Sequence, residues 1–322
     1  MPRSQIKFHD LSHVEQTFQD AVLGGFSRRA KAIPCQFLYD AAGSALFDEI
    51  CRLPEYYLTR AELGILEANA SLIAEKIGPG AQIIELGSGS SIKVKRLLHS
   101  LAEPNGYVPV DVSREHLLKA AGDLARNHPD IAVTAVCADY TTASWLPALG
   151  GLPYRRRVAF FAGSSIGNFE PDAAITLLKH IRRLVGRGGD LLIGVDLKKD
   201  AIALNAAYND SAGVTAAFNL NLLNRINREL AGDFELDRFC HEAFYNEELG
   251  RIEIYIRSLA DQLVHIAGRG FRLLAGERIH TEYSHKYSIQ GFRALARSAG
   301  FGFLTTMVDD CGLFSVHHLR AT

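Results

Sequence analysis

The sequence lacks the marks of several protein classes. Its 35 Lys and Arg are balanced by 36 Asp and Glu, which argues against a dedicated nucleic-acid binder because such a domain usually presents a basic face. No apolar stretch is long enough to span a bilayer, and residues 1–7 contain no apolar signal region. We therefore expect a cytoplasmic protein without membrane or nucleic-acid partners.

Cysteine is scarce, and no spacing of residues indicates a metal site. The five cysteines form no C-x-x-C pair, which fits reduced thiols better than a disulfide framework; they are Cys35, Cys51, Cys137, Cys240 and Cys311. The twelve histidines include one close pair, His317 and His318, and adjacent residues of a strand face opposite sides. We expect no dedicated metal site.

Alternating strand-like and helix-like segments fill the centre of the chain. Helical patterns at about 92–101, 114–127 and 171–185 separate apolar runs at 81–85, 107–111, 131–136, 158–162 and 190–195. The alternation predicts an α/β fold whose five parallel strands are buried on both faces. Two further strand-like runs, 302–308 and 313–319, predict a terminal antiparallel hairpin.

The region between Asp200 and Tyr287 is too long for a crossover loop. Residues 200–228 look helical, residues 251–257 alternate like a half-exposed strand, and residues 271–287 resemble a strand pair around Ala275 and Gly276. We expect this region to form a second, smaller lobe with the N-terminal segment. The predicted division is 61–198 with 287–322, and 1–60 with 199–286.

The segment from Glu85 to Gly89 ends the first of these strands and precedes a helix. Its glycines, Gly87 and Gly89, allow a sharp turn and close approach to a ligand, and ligands of such sheets bind beyond the carboxyl ends of the strands. Ile92 occupies the position of the third glycine in the dinucleotide pattern G-x-G-x-x-G. This departure disfavours a nicotinamide cofactor, although the glycine pair alone could be only a turn.

Acidic residues follow the next two strands. Asp111 ends the second strand, where an acid commonly binds ribose hydroxyls, and Asp139 follows the third, where a polar residue could face adenine. Either could instead cap a helix. Together with the glycine loop they favour S-adenosylmethionine, because this cofactor has no pyrophosphate to cradle and its sulfonium suits carboxylates and aromatic faces.

Seven ordered motifs, spread over nearly the whole chain, resemble the histidine-specific methyltransferases that begin ergothioneine biosynthesis. That family adds three methyl groups to the α-amine of L-histidine, giving hercynine. The motifs occupy residues 37–50, 53–57 with 59–62, 85–89, 163–168, 196–200, 207–219 and 281–286. The resemblance implies a Rossmann-like class I methyltransferase sheet with a terminal antiparallel hairpin, a smaller α+β substrate lobe, and a monomer that binds L-histidine.

The resemblance also implies a set of site residues. The cofactor set is Glu85, Gly87, Ser88, Gly89, Lys93, Asp111, Asp139 and Tyr140. Donor groups of Asn168 and Tyr208 would hold the substrate carboxylate. The α-amine would face Gly163 and Tyr39, and Tyr39 is the catalytic candidate because its phenol could orient the amine. The imidazole would meet Glu282 and Ser284 beside Tyr56, in a pocket lined by Phe218 and Ile254.

Other interpretations of these residues and of the chain remain open. Taken alone, Glu282 could be solvated, Tyr56 could serve packing, and Asn168 could cap a helix. Ile254 stands where related enzymes carry methionine, so a tryptophan- or tyrosine-type substrate is the alternative to histidine. A dehydrogenase built on the same sheet, or a noncatalytic protein that keeps the fold, would be the alternatives from other classes.

Overall fold

The computed structural model describes residues 6–11, 17–89, 91–142, 145 and 154–322. By its internal contacts the chain divides into two compact units. The first comprises Met1–His13, Leu58–Lys198 and His285–Thr322, and the second comprises Val14–Tyr57 and Lys199–Ser284. The described residues contain no helix long and apolar enough to cross a membrane.

The first unit is built on one eight-stranded sheet. Its strands are β1 (Lys7–Asp10), β3 (Ala81–Leu86), β4 (Gly106–Asp111), β5 (Ala132–Cys137), β6 (Arg156–Phe161), β7 (Asp190–Asp196), β13 (Phe301–Val308) and β14 (Phe314–Ala321). The helices are α3 (Tyr57–Ala68), which begins at the boundary residue Tyr57, α4 (Ala70–Ile77), α5 (Ile92–Ser100), α6 (Arg114–Asn127), α7 (Pro171–Val185) and α10 (Ile289–Ser298).

The strand order of this sheet is β1-β5-β4-β3-β6-β7-β14-β13. Strands β3 to β7 are parallel, whereas β14 runs antiparallel to both β7 and β13. This confirms the predicted Rossmann-like sheet with its terminal hairpin. The topological switch point, where ligands of such sheets bind, lies between β3 and β6 because the chain winds outward from this pair in both directions.

One strand of this sheet was not expected there. The sequence grouped residues 1–60 with the smaller lobe, but β1 pairs in parallel with β5 at the edge of the large sheet, with Phe8 opposite Ala135. The sheet therefore has six parallel strands, where the sequence predicted five. With only four residues, β1 is too short for its alternation to stand out.

The helices of the first unit begin and end where local chemistry dictates. Helix α7 has Pro171 in its first turn, where the missing N–H costs nothing, and it ends at Val185 before Gly186, whose φ of 73° suits glycine. The apolar faces of the helices pack on the sheet. Fully buried members of this core are Ile84, Val108, Phe161, Leu178, Ile193, Phe292 and Leu319.

The second unit is α+β. Its helices are α1 (Phe18–Phe26), α2 (Ala41–Ile50), α8 (Ala201–Tyr208) and α9 (Val214–Leu230), and its strands are β2 (Lys31–Ala32), β8 (Phe239–Asn246), β9 (Arg251–Ser258), β10 (Gln262–Ile266), β11 (Arg269–Leu273) and β12 (Arg278–His285). The main sheet has the order β2-β12-β9-β8, and β10 and β11 form a separate hairpin. The last residue of β12, His285, belongs to the first unit.

The two strands expected on either side of Gly276 are present as β11 and β12, but they do not pair with each other, since β11 pairs with β10 while β12 joins the four-stranded sheet. One expectation for this unit was wrong. Strand β9 was expected to be half exposed, yet Arg251 and Glu253 are buried. They satisfy one another, since Arg251 Nε lies 3.0 Å from Glu253 Oε1, so their burial leaves no unpaired charge.

Candidate functional site

The glycine loop after β3 turns sharply. Gly87 and Gly89 have φ of 70° and 45°, a region that L side chains rarely adopt. A Cβ on Gly87 would also lie 3.5 Å from the Tyr140 ring. That is an ordinary van der Waals distance, so it is the backbone conformation that favours glycine at Gly87, as a loop that approaches a ligand requires.

Asp111, at the end of β4, binds this loop directly. Its Oδ2 accepts a hydrogen bond from Gly89 N at 3.1 Å, and its Oδ1 accepts from Ser113 N at 2.9 Å. Burial raises the pKa of Asp111, and the hydrogen bonds from Ser113 and Gly89 oppose that rise. The carboxylate thus fixes the glycine loop and also turns the chain toward α6, whose N-cap is Ser113.

Glu85 forms a buried pair with a neighbouring strand. The Tyr107 hydroxyl donates to Glu85 Oε2, and Ser91 Oγ lies 3.3 Å from the same hydroxyl. Burial raises the pKa of Glu85 to about 8, although the Tyr107 hydrogen bond acts in the opposite direction. Burial therefore favours the neutral, protonated form of this carboxyl.

The remaining cofactor candidates lie at the same edge of the sheet. Asp139 Oδ1 accepts from both the backbone N (2.8 Å) and the hydroxyl (2.6 Å) of Thr141, and the Tyr140 ring packs edge-on against Phe161 at 5.5 Å. Ser88 Oγ is buried without a hydrogen-bond partner in the described part of the chain. An orphaned hydroxyl on a glycine loop fits a polar ligand, because such a group is costly to leave unsatisfied. The residues present therefore fit S-adenosylmethionine.

Lys93 projects from the helix that follows the glycine loop. Its Nζ lies 2.6 Å from Glu62 Oε2, and Glu62 Oε2 also accepts from Gly163 N at 2.9 Å. Lys93 and Gly163, which the sequence assigned to cofactor and substrate respectively, are thus joined through one carboxylate. The sequence motif contained Glu62, but nothing in its helical setting marked it as a site residue.

Asn168 ends a short 3-10 turn that follows β6. Gly163 and Ser164 enter this turn with φ of 77° and 59°, and Ser164 Oγ accepts from Asp196 N at 2.9 Å. A positive φ at a serine is a strained conformation, of the kind that clusters at functional sites. Asn168 does not cap α7, because Glu170 occupies the N-cap position.

In the second unit, five aromatic rings form a cluster. Tyr39 contacts Phe218 at a centroid distance of 5.4 Å and Phe47 at 5.5 Å, and Tyr56 lies 6.3 Å from Phe47 and 6.2 Å from Tyr208. Four of these rings were predicted from the sequence. Phe47 was not, although its motif was recognised, because one aromatic on a helix usually belongs to a core.

Tyr208 ends α8, and its hydroxyl lies 2.9 Å from Ser284 Oγ on β12. Burial raises the pKa of Tyr56 well above its ordinary value, and the nearby Tyr208, Cys51, Tyr39 and Glu282 add to the effect. The Tyr56 hydroxyl therefore remains protonated and can act as a hydrogen-bond donor. Glu282 and Ser284 are both buried.

Ile254 lies beside the strand that carries the imidazole candidates. Its carbonyl accepts from Thr281 Oγ1 at 3.2 Å, which ties β9 to β12, and its side chain is buried. The predicted cofactor residues, Gly163 and Asn168 all belong to the first unit. The second unit holds the other substrate candidates, which are Tyr39, Tyr56, Tyr208, Phe218, Ile254, Glu282 and Ser284. No cluster of His, Cys, Asp and Glu within the described ranges could hold a metal ion.

Comparison with known proteins relates the chain to one family. A family model described as a histidine-specific, SAM-dependent methyltransferase matches residues 18–321. The chain is 38% identical over 301 residues to histidine N-alpha-methyltransferase of Mycolicibacterium smegmatis, covering 92% of each chain. It is 37% identical over 300 residues to the Mycobacterium tuberculosis protein of that name, again over 92% of each. Ergothioneine biosynthesis protein 1 of Neurospora crassa is 34% identical over 278 residues, which are 84% of this chain and 31% of that one.

Proposed function

The chain belongs to the family of histidine-specific, S-adenosylmethionine-dependent methyltransferases, and from that premise we propose that it methylates the α-amine of L-histidine three times, giving hercynine. The observation that carries the proposal is the polar group around the aromatic cluster: Tyr208 and Ser284 joined at 2.9 Å, with buried Glu282 beside Tyr56. Buried polar groups of this kind suit a substrate that itself offers hydrogen-bond donors and acceptors.

In this proposal, Glu282 and Ser284 recognise the imidazole ring. Neutral imidazole offers one N–H donor and one lone pair. Glu282 would accept from the N–H, and the Ser284 hydroxyl would donate to the lone pair. Residues 282 and 284 lie on the same face of β12, because side chains of a strand alternate. An indole ring offers an N–H donor but no lone pair to accept from the Ser284 hydroxyl, which supports histidine over the tryptophan-type alternative.

The α-amine and carboxylate would be held by the remaining substrate candidates. Asn168 would supply an N–H donor for the carboxylate, and Tyr208 would donate its single O–H proton either to that carboxylate or to Ser284 Oγ. Tyr39 would orient the amine lone pair, and the aromatic rings of the cluster suit the cationic head that grows with each methyl group. S-adenosylmethionine, when bound, supplies a sulfonium methyl group as the electrophile. The chain contributes mainly alignment, which can lower the barrier of a bimolecular step by about 7–11 kcal/mol.

We also propose that the chain acts as a cytoplasmic monomer. Its cysteines form no disulfide in the described residues, which fits a reducing compartment, and one chain carries all of the residues named above. Size-exclusion chromatography with light scattering tests the monomer. A mass of twice 35.3 kDa at micromolar concentration would refute it.

Mass spectrometry of the product tests the proposed reaction. The purified protein is incubated with S-adenosylmethionine and equimolar L-histidine, L-tryptophan and L-tyrosine, and the products are fragmented to locate the added methyl groups. We expect trimethylation on the α-nitrogen of histidine alone. Methyl groups on the imidazole, or preferential methylation of tryptophan or tyrosine, would contradict the proposal.

A further inference from the structure

Glu62 is a buried carboxylate that lies at the switch point of the large sheet. It has no exposed surface, and it projects from α3 toward the end of β6. Burying a carboxylate is costly unless the charge is paired and hydrogen-bonded. Both conditions are met here, by the Lys93 ammonium at 2.6 Å and by the Gly163 amide at 2.9 Å from Oε2 and 3.2 Å from Oε1.

In the proposed function, the two partners of Glu62 contact different reactants: Lys93 the cofactor and Gly163 the substrate. Lys93 lies in the first turn of α5, directly after the glycine loop of β3. Gly163 follows β6, the strand that pairs with β3 on its other side. A third segment also contacts Glu62, since a Cβ on Gly194 of β7 would lie 2.0 Å from Glu62 Oε1. One carboxylate therefore connects the carboxyl ends of three parallel strands, where ligands of such sheets bind.

We propose that Glu62 is a positioning residue that aims the Lys93 ammonium at the cofactor and fixes the amide of Gly163. The proposal rests on the proposed function for the roles of Lys93 and Gly163. Glu62 itself bonds to protein groups and acts through them. The Lys93 side chain remains partly exposed, at 18%, so its ammonium has donors left for a ligand while one is held by Glu62.

A double-mutant cycle on cofactor binding tests this role. Calorimetry gives the Kd for S-adenosylhomocysteine in Glu62→Gln, Lys93→Met and the double variant. Glutamine keeps an oxygen for the Gly163 amide but turns an N–H toward Lys93, so we expect binding about tenfold weaker. If Glu62 acts through Lys93, the double variant binds no more weakly than Lys93→Met alone. Effects that multiply, or an unchanged Kd in either single variant, would overturn the proposal.

A second variant moves the carboxylate without changing any charge. Gly194→Ala places a methyl group 2.0 Å from Glu62 Oε1 and 3.0 Å from the Phe314 ring, and we expect it to weaken binding several-fold in the wild-type background but not in the Lys93→Met background. Gly64→Ala is the matched control, because it lies on the same helix and its Cβ would have nothing within 4 Å. Equal affinity of the Gly194→Ala and Gly64→Ala variants would count against the proposal.

A variant of a distant buried ion pair distinguishes a positioning role of Glu62 from a purely structural one. Asp190, at the start of β7, is fully buried and lies 2.8 Å from Arg320 Nε and 3.0 Å from His318 Nε2. Asp190→Asn should lower the Tm and leave the Kd for S-adenosylhomocysteine unchanged. If Glu62→Gln behaves in the same way, Glu62 only stabilises the fold. The readout does not depend on which amino acid is methylated, so a failure of the proposed substrate leaves the cycle interpretable.

Discussion

The hydroxyl groups of Tyr208 and Ser284 lie 2.9 Å apart and either can donate to the other. The family resemblance assigns Tyr208 to the substrate carboxylate and Ser284 to the imidazole. Because the two hydroxyls are hydrogen-bonded, a change in one must alter the proton position of the other. We therefore predict that recognition of the two ends of histidine is coupled through this contact.

The coupling predicts non-additive kinetics. Tyr208→Phe and Ser284→Ala should each raise the KM for histidine roughly tenfold, because each removes a hydrogen-bonding group from a buried site. In the double variant the effects should fall short of the product by a factor of three or more, roughly, as expected for residues in contact. Steady-state kinetics at saturating S-adenosylmethionine measure this. Strictly multiplicative effects would show that the hydroxyls act independently.

Replacing Asp111 by Asn is predicted to weaken the binding of the cofactor. Its two oxygens accept from Gly89 N and Ser113 N, whereas the amide of Asp111→Asn has a single acceptor oxygen. We expect the Kd for S-adenosylhomocysteine to rise about tenfold or more in calorimetry. Asp123→Asn is the control, since Asp123 pairs with Arg126 on the exposed surface of α6. Undiminished affinity in Asp111→Asn would reduce Asp111 to a local cap.

The raised pKa of Glu85 predicts that the stability of the folded protein depends on pH. Its pKa is raised from 4.5 to about 8 in the folded protein because burial penalises the carboxylate. Between these values the folded protein holds a proton that the unfolded chain releases. The stabilisation present below about pH 4.5 is therefore lost as the pH rises through about 8. Glu85→Gln imitates the protonated carboxyl and should escape this loss.

Urea unfolding of the ligand-free protein between about pH 5 and 8 measures the effect of Glu85. One pKa unit corresponds to about 1.4 kcal/mol. The free energy of unfolding of Glu85→Gln, relative to that of the wild type, should therefore rise by a few kcal/mol over this pH range. Gln can still accept from the Tyr107 hydroxyl, which keeps the packing comparable. A difference that stays constant with pH would refute the raised pKa.

The parts of the fold that sequence predicts are those fixed by local signals. Helix α7 follows the prediction because Pro171 and Gly186 mark its ends, and the buried parallel strands appear as continuous apolar runs. The hairpin of β10 and β11 was missed. Its turn consists of Ala267 and Gly268, both with positive φ, whereas Ala275 and Gly276 offered the same residue types without forming a hairpin.

The site residues likewise divide into those that a local sequence signal marks and those that only the fold brings into contact. Asp111 and Asp139 could be predicted because each follows a strand at the sheet edge. Glu62 could not, since the groups that compensate its buried carboxylate belong to Lys93 and Gly163, which lie 31 and 101 positions away in the chain. The contact between Tyr208 and Ser284 spans 76 positions and depends on how α8 and β12 pack. Family motifs named these residues, but only the fold places them in contact.

The most direct measurement is the ratio of kcat/KM for L-histidine to that for L-tryptophan, in the wild type and in Glu282→Ala. Glu242→Ala is the matched control, since it removes a carboxylate of the same sheet that pairs with Arg278 at 2.7 Å. We predict that the wild type and the control favour histidine by at least about a hundredfold, as expected of a site built to hydrogen-bond its substrate. In Glu282→Ala the ratio should collapse while the Kd for S-adenosylhomocysteine stays unchanged. A ratio that survives the loss of Glu282, or a wild type that prefers tryptophan, would contradict the assignment of this site to histidine.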